Sequence, residues 1–402
     1  MKKIFLTTIA LLSIVSASVF GMYGVNSGDW IGFLTHGNQF RARMGQLGFT
    51  LGNDTIKGTF GFFNNGRGAY GSMLSQSTAA GESGTGLYYD FTPTISMGLA
   101  YTSSLISVGV GYNATIGPRW NRYNNKTEPK KVEAVVHTPV LVLNALDNAF
   151  RMAIPIQVVN LTDKFDGVGK GSITAVSLDA QFRYFTGLDF LPQIRLLIKY
   201  GNYGMQLSPE GGQKEKVTIA ESFGFEFRLY FGAMVEEVAL QPYIKLVYNG
   251  ALGKQHSKTS VTALDALNDS ARFMGQITSL FANPNNATQP TTTYGGNAAW
   301  KKSAWDLTLA PTLGITANSD IVSLYVEPSL GLTITQSGSA TDNKVKELYS
   351  LYYGAYAEIY ITPLKNLEWY FEVDLNNGGT TADQSAITFA GTTGITWYLP
   401  AL

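Results

Sequence analysis

The stretch Trp305-Asp306-Leu307-Thr308-Leu309-Ala310-Pro311-Thr312-Leu313-Gly314-Ile315, with Val322-Ser323-Leu324-Tyr325-Val326-Glu327-Pro328-Ser329-Leu330-Gly331-Leu332-Thr333-Ile334 after it, decides the fold. Trp305, Leu307, Leu309, Leu313 and Ile315 share one parity, and Val322, Leu324, Val326, Leu330 and Leu332 share another, while polar or small residues fill the positions between. A period of two is that of a strand, because successive side chains point to opposite faces. The turn Ala317-Asn318-Ser319-Asp320 joins the two runs. Each is about a dozen residues long, more than the usual five or six of a soluble strand and enough to cross a bilayer at a tilt of about 45°.

Composition points the same way. Of 402 residues, 45% are hydrophobic and 14% charged, against roughly 25% charged in an ordinary soluble domain. Gly 43, Tyr 22 and Phe 22 suit a protein of strands and turns, and no segment after the N-terminus is apolar enough for a membrane helix. A chain that spans a bilayer with strands must close into a barrel, because an open edge would leave backbone groups unpaired in hydrocarbon. Lysines and arginines number 29, as do aspartates and glutamates, so no nucleic-acid partner is expected. Without cysteine there is no disulfide, thiol nucleophile or thiolate metal site.

Met1-Lys2-Lys3, an apolar run from Ile4 to Val15 and the small residues Ser16, Ala17 and Ser18 have the three-part form of a secretory signal peptide. Residues 1–21 are therefore read as a leader for export through the periplasm. Residues 22–54 form an N-terminal segment that reads as a helix or plug, or else as extra strands. Trp30, Phe33, Leu34, Gly37, Phe40, Met44 and Leu47 fit helical spacing, whereas Phe40, Ala42 and Met44 alternate with Arg41 and Arg43. The motifs Phe20-Gly21-Met22-Tyr23-Gly24, then Asp29-Trp30-Ile31-Gly32-Phe33-Leu34-Thr35-His36-Gly37-Asn38-Gln39-Phe40-Arg41-Ala42-Arg43-Met44, then Gly58-Thr59-Phe60-Gly61-Phe62 close this region. This opening resembles that of the Brachyspira variable surface proteins, the Vsp family of spirochaete outer-membrane antigens. The resemblance implies an abundant, surface-exposed outer-membrane antigen that differs between family members, and it does not imply a catalytic site. Its expected partners are outer-membrane lipid, other copies or paralogues in a surface complex, and host antibodies.

Residues 55–402 read independently as an all-β, antiparallel, up-and-down barrel. After a first strand at Ile56, Gly58, Phe60 and Phe62, strands are expected near 86–102, 105–113, 132–144, 149–159, 172–186, 192–205, 216–232, 236–248, 302–316, 320–335, 348–362, 366–375 and 385–398. That makes about 14, or 16 if both halves of 29–51 pair as strands. Connections near Ser103, Asp147, Leu188, Met234, Asn318 and Leu364 are short, while 64–85, 114–131 and 249–301 are long and polar, the alternation of periplasmic turns and outer loops. Leu264, Leu267, Ala271 and Met274 give the last loop a helical period. Aromatics at strand ends, Tyr101, Phe185, Tyr360, Trp369, Trp397 and Tyr398, suit an interfacial girdle. Pro93, Pro139, Pro155, Pro242, Pro311 and Pro328 cannot donate to a ladder, so bulges or shortened strands are expected there.

Sites of chemistry are sparse. His36, His137 and His256 are far apart and match no metal or triad spacing, and Gly167-Val168-Gly169-Lys170-Gly171-Ser172 has the wrong glycine spacing for a phosphate loop. No catalytic residue, cofactor or metal site is expected. The polar parity is more informative. Arg151, Arg183, Arg195, Lys199, Arg228 and Lys245 fall in the middle strands, whereas Asp306, Glu327, Glu358, Glu368, Glu372 and Asp374 fall in the later ones. In an up-and-down barrel these should line the lumen as a basic arc beside an acidic arc. A surface antigen and a general diffusion porin both fit, and bilayer conductance separates them. A barrel enzyme lacks a nucleophile with a base, and a soluble β-sandwich is disfavoured by strand length and low charge.

Overall fold

The computed structural model describes residues 23–43, 46–64, 87–88, 93–122, 130–165, 169–209, 211, 214–235, 238–252, 302–339, 345–377 and 387–399. The leader, the loop helix near 264–281 and His256 lie outside the described residues.

After a single-turn helix, α1 (Ser27–Trp30), the chain is strand: β1 (Gln39–Arg43), β2 (Gln46–Gly52), β3 (Ile56–Asn64), β4 (Leu87–Tyr88), β5 (Pro93–Tyr101), β6 (Ile106–Arg122), β7 (Lys130–Ala145), β8 (Phe150–Phe165) and β9 (Gly169–Phe185). The second half supplies β10 (Gln193–Pro209), β11 (Glu215–Tyr230), β12 (Ala233–Val235), β13 (Val238–Ala251), β14 (Trp305–Asn318), β15 (Val322–Gln336), β16 (Glu347–Leu364), β17 (Leu367–Asn377) and β18 (Ile387–Leu399). Consecutive strands pair antiparallel, and β1 closes the sheet on β18 through Phe40↔Leu399 and Arg43↔Thr396. Both β4 and β5 lie against β6, and both β11 and β12 lie against β13, so each couple is one stave and the barrel has 16. The count of about 14 is thereby corrected to its alternative. The helical reading of 29–48 holds only for α1, because Arg41↔Gly48 and Phe40↔Phe49 pair as a hairpin.

Burial in β14 runs opposite to that of a soluble strand: Thr308, Ala310, Thr312, Gly314 and Thr316 are buried, while Leu309 and Leu313 are exposed. The same inversion recurs around the wall. Thr50, Thr59, Ser96, Asn113, Thr138 and Asn144 face inward and are buried, whereas Leu99, Val110, Leu330, Leu351, Phe389 and Ile395 face outward. Burying one such side chain stabilises by about 1.5–3 kcal/mol. Dozens left exposed to water would forgo tens of kcal/mol, well beyond the net stability of about 5–15 kcal/mol of a folded domain. The solvent around this cylinder is therefore hydrocarbon.

Strands β6 to β11 have 16 or 17 residues, where about 9–11 suffice for a span. The expected outer loop 114–131 is accordingly mostly ladder, since β6 runs on to Arg122 and β7 begins at Lys130. The ladder itself continues there, pairing Arg119↔Glu133, Trp120↔Val132, Asn121↔Lys131 and Arg122↔Lys130. At the other end the turns are tight. That between β7 and β8 puts Leu146, Asp147 and Asn148 in the left-handed region (φ 55°, 52° and 63°).

None of the six prolines at which bulges are expected sits at a register shift. The shifts at Ile116/Arg119 and Ile361/Leu364 span two others, Pro118 and Pro363, and the third lies at Tyr203/Gly204. Around Pro139, Pro155, Pro311 and Pro328 the pairing skips residues and resumes in the same register. Pro242 accepts from the Phe231 amide but cannot return a donor, and β11 breaks opposite it while its register continues into β12. Pro93 opens β5. Parity also divides the aromatics: Tyr101, Trp369 and Trp397 are exposed on the outer face near the tight turns. Phe185, Tyr360 and Tyr398 fall on the inner parity and leave the girdle.

Candidate functional site: the charged lumen

The inner parity divides into sectors. Across β8, β9, β10, β11 and β13 the residues Arg151, Arg183, Arg195, Arg228 and Lys245 are direct cross-strand partners in unbroken sequence, Arg151↔Arg183, Arg183↔Arg195, Arg195↔Arg228 and Arg228↔Lys245. Aromatic rings support them. Arg151 lies 4.8 Å from the Phe185 centroid, Arg195 5.0 Å from Tyr230, Arg228 5.3 Å from Tyr243, and Lys245 5.1 Å from Tyr352. Arg183 is buried and donates from Nε to Gln181 Oε1 at 2.7 Å. Among these five, only Arg228 has a carboxylate in contact among the described residues, Glu226. Lys199 stands outside the row, opposite Asp179.

The acidic sector is built differently, from carboxylates held by hydroxyls. Glu327 accepts from Tyr243 and Tyr325, Glu358 from Tyr356, Glu368 from Tyr398 at 3.3 Å and Glu372 from Thr392 at 3.5 Å. Glu358 is buried and opposite both Tyr325 and Glu372. Asp306 accepts from Asn249 Nδ2 at 2.9 Å, while Asp374 is exposed beside Tyr356. Tyr243 joins the sectors, its ring toward Arg228 and its hydroxyl on Glu327. Two inner arginines were missed in the sequence reading: Arg41, opposite Tyr398, and Arg43, which lies 3.8 Å from Glu372 and 2.9 Å from the Tyr370 centroid. Their signal was the alternation Phe40-Arg41-Ala42-Arg43, outweighed by the helical reading.

The remaining wall, β2 to β9, is covered from inside by residues 23–38. Tyr23, Trp30, Ile31, Phe33 and Leu34 form a buried cluster with Ala100, Val140, Val142 and Ala153. Trp30 is seated on glycines: a Cβ at Gly111 would stand 2.3 Å from its ring and one at Gly98 3.0 Å. Its Nε1 donates to the Gly24 carbonyl (2.8 Å), which also accepts from Asn113 (2.6 Å). Ser27 donates through N and Oγ to Asp179 Oδ2 (3.2 and 3.1 Å), Arg151 donates to Thr35 Oγ1 (3.3 Å), and Lys57 donates to the Leu34 and His36 carbonyls (2.9 and 2.5 Å). Burial pushes the Asp29 carboxyl up to about 7, with Asp179 adding to the rise and the Asn26 and Gly24 amides and Arg41 opposing it. Burial also holds the His36 imidazole down to about 4, helped by Arg41, Lys57, Arg151 and Arg183. Burial raises the Tyr23 hydroxyl, which meets His36 Nδ1 at 2.9 Å. His137 instead faces outward against the Tyr112 hydroxyl.

A family model described as Serpulina hyodysenteriae variable surface protein matches residues 2–398. The chain belongs to that family. With the apolar outer face of the cylinder, membership of this surface-protein family places the chain in an outer membrane. No curated protein matches it. Among solved structures, it is similar to the copper transporter OprC, at 8% identity and a TM-score of 0.39 over 90% of this chain, and it spans 64% of that protein's length. It is also similar to the siderophore receptor PirA from Pseudomonas aeruginosa, at 7% identity and a TM-score of 0.29, covering 90% of this chain and 80% of that one.

Proposed function

We propose that this variable surface protein is a non-catalytic outer-membrane barrel, exported by residues 1–21 and exposed through its long loops, whose lumen conducts small polar solutes. The carrying observation is the wall itself. Barrels of 16 strands are wide enough to leave an aqueous channel, and charges of opposite sign occupy different sectors of this one. Stepping round the staves from β8 to β17 covers half the circle, so Arg151 stands across the bore from Glu368 and Glu372. A field between such walls orients dipolar solutes and disfavours apolar ones. The two sectors of the lumen are then Arg151, Arg183, Arg195, Lys199, Arg228 and Lys245, with Asp179 and Glu226 among them, and Asp306, Glu327, Glu358, Glu368, Glu372 and Asp374, with Arg43 against Glu372.

The test is conductance of folded, purified protein in a planar bilayer. Stepwise openings are expected, with selectivity moving toward cations when Arg195 and Lys199 are neutralised. A folded protein that gives none ends the pore reading and leaves a closed surface antigen. Cleavage of the loops by protease added to intact cells checks exposure at the surface.

A further inference from the structure

Like charges placed directly opposite each other on neighbouring strands are destabilising, with Cβ atoms only about 4.5–5.5 Å apart. Five in succession call for compensation, yet the wall supplies little. Glu226 serves Arg228, and no other carboxylate lies within ion-pair distance of Arg151, Arg183, Arg195 or Lys245 among the described residues. Arg195 Nε is buried with no hydrogen-bond partner, and Arg183, also buried, is met at Nε by a neutral amide. Phe185, Tyr230, Tyr243 and Tyr352 hold the cations in place through their ring faces without neutralising them. In the acidic sector Glu327, Glu358, Glu368 and Glu372 each accept from at least one hydroxyl, and Arg43 lies 3.8 Å from Glu372, although Glu358 Oε2 and Glu372 Oε1 have no hydrogen-bond partner among the described residues. The row is thus positioned, desolvated and electrically incomplete.

We infer that the row Arg151, Arg183, Arg195, Arg228 and Lys245 is a binding track for small oxyanions, phosphate or carboxylate, bridging two or more neighbouring cations. Guanidinium pairs suit both, because their planar donors match the spacing of oxyanion oxygens. A bound anion would offset the repulsion along the row, and its passage from one pair to the next would cross the strands in turn, from the tight-turn end of β8 to the middle of β13. The inference deepens the pore reading above and takes its lumen as reachable by water.

The experiment is calorimetric titration of the detergent-folded barrel with inorganic phosphate and, in a second arm, succinate, beside bilayer recordings in the same anions. Saturable binding is expected in at least one arm, weakened about tenfold in Arg195→Gln at the centre of the row, the loss of one charge-assisted bond, and likewise in Lys245→Gln at its β13 end. Heat-modifiable gel mobility establishes that each variant is folded. The relative affinity of the two arms identifies the preferred oxyanion. Absence of binding in both, or binding that both folded variants retain unchanged, overturns the track. A protein that conducts without binding keeps the pore and loses the track, whereas one that binds without conducting does the reverse.

Discussion

Trp30 is the residue on which the inner face turns, because an indole of that size fits against a β-wall only where the wall has no side chains. Gly111 and Gly98 provide that space, so Gly111→Val should drive the indole out, and overpacking of this kind costs about 1–3 kcal/mol. The chain has no cysteine, and Gly28 has nothing within 4 Å of its Cβ direction, so a spin label on Gly28→Cys reports docking: immobile in the parent, mobile in the Gly111 variant. The same label tests the two ionisable groups of the segment. Asp29 has its docked pKa raised from 3.8 to about 7, so its contribution favours docking at low pH and is lost as pH rises through 7. His36 has its docked pKa lowered from 6.5 to about 4, so its contribution is present at high pH and is lost as pH falls through 4. Between about 4 and 6.5 the proton that Asp29 takes up on docking offsets the one that His36 releases, and docking in the parent should be flat with pH. Asp29→Asn should expose the His36 slope, with docking weakening as pH falls from 6.5 to 4, by up to about tenfold per unit. His36→Gln should expose the opposite slope, with docking weakening as pH rises from 4 to 7. Equal slopes in both variants would contradict the assignment.

At the scale of elements, the pairing of β14 with β15 shows how a proline-bearing strand stays in a wall. Pairing lapses beside Pro311 and Pro328 and resumes unshifted, and at Gly331 the neighbouring backbone is so near that a Cβ would stand 2.1 Å from the Leu309 carbonyl oxygen. Gly331→Ala should therefore lower the unfolding midpoint in urea, at a cost of about 1–3 kcal/mol. Pro311→Val, on the outer face, should raise it by about 1 kcal/mol through a recovered ladder bond. The alternation of Leu307, Leu309 and Leu313 with Thr308 and Thr312 made these strands legible in the sequence, because lipid on one side and lumen on the other impose a strict period of two. The turn was placed slightly early: Ser319 accepts from the Val322 amide (3.0 Å), so the bend runs over 319–321. What was not legible has physical reasons. Phe40 and Met44 satisfy both periods, so the sequence around β1 passes for helix, and only its closure on β18 decides for strand. The register uniting Arg151, Arg183, Arg195, Arg228 and Lys245 depends on turn lengths and bulges at both ends of every hairpin, which alternation within a single strand does not encode.

For the whole molecule, the distribution of polarity separates two structures that share one chain, a wall and an insert. The wall closes through β1 and β18, beginning at Phe40, and its cross-strand pairs make no use of residues 23–38. The insert contributes a buried apolar cluster, which rests on Ala100, Val140, Val142 and Ala153 of the wall, and hydrogen bonds to side chains of β3, β6, β8 and β9 whose polar groups water can satisfy in its place. Joining the leader directly to Gln39 should therefore leave a barrel with unchanged heat-modifiable mobility in gels and a larger unit conductance, because the region in front of β5 to β9 fills with solvent. Trp30→Ala, which removes the seat of the insert at about 3–5 kcal/mol, should give the same larger conductance intermittently, as the segment leaves and returns. A deletion that folds and conducts no better than the parent would mean that residues 23–38 stand outside the conducting path, and the solute route would then be confined to the side bounded by β10 to β18, where the two charged sectors meet at Tyr243.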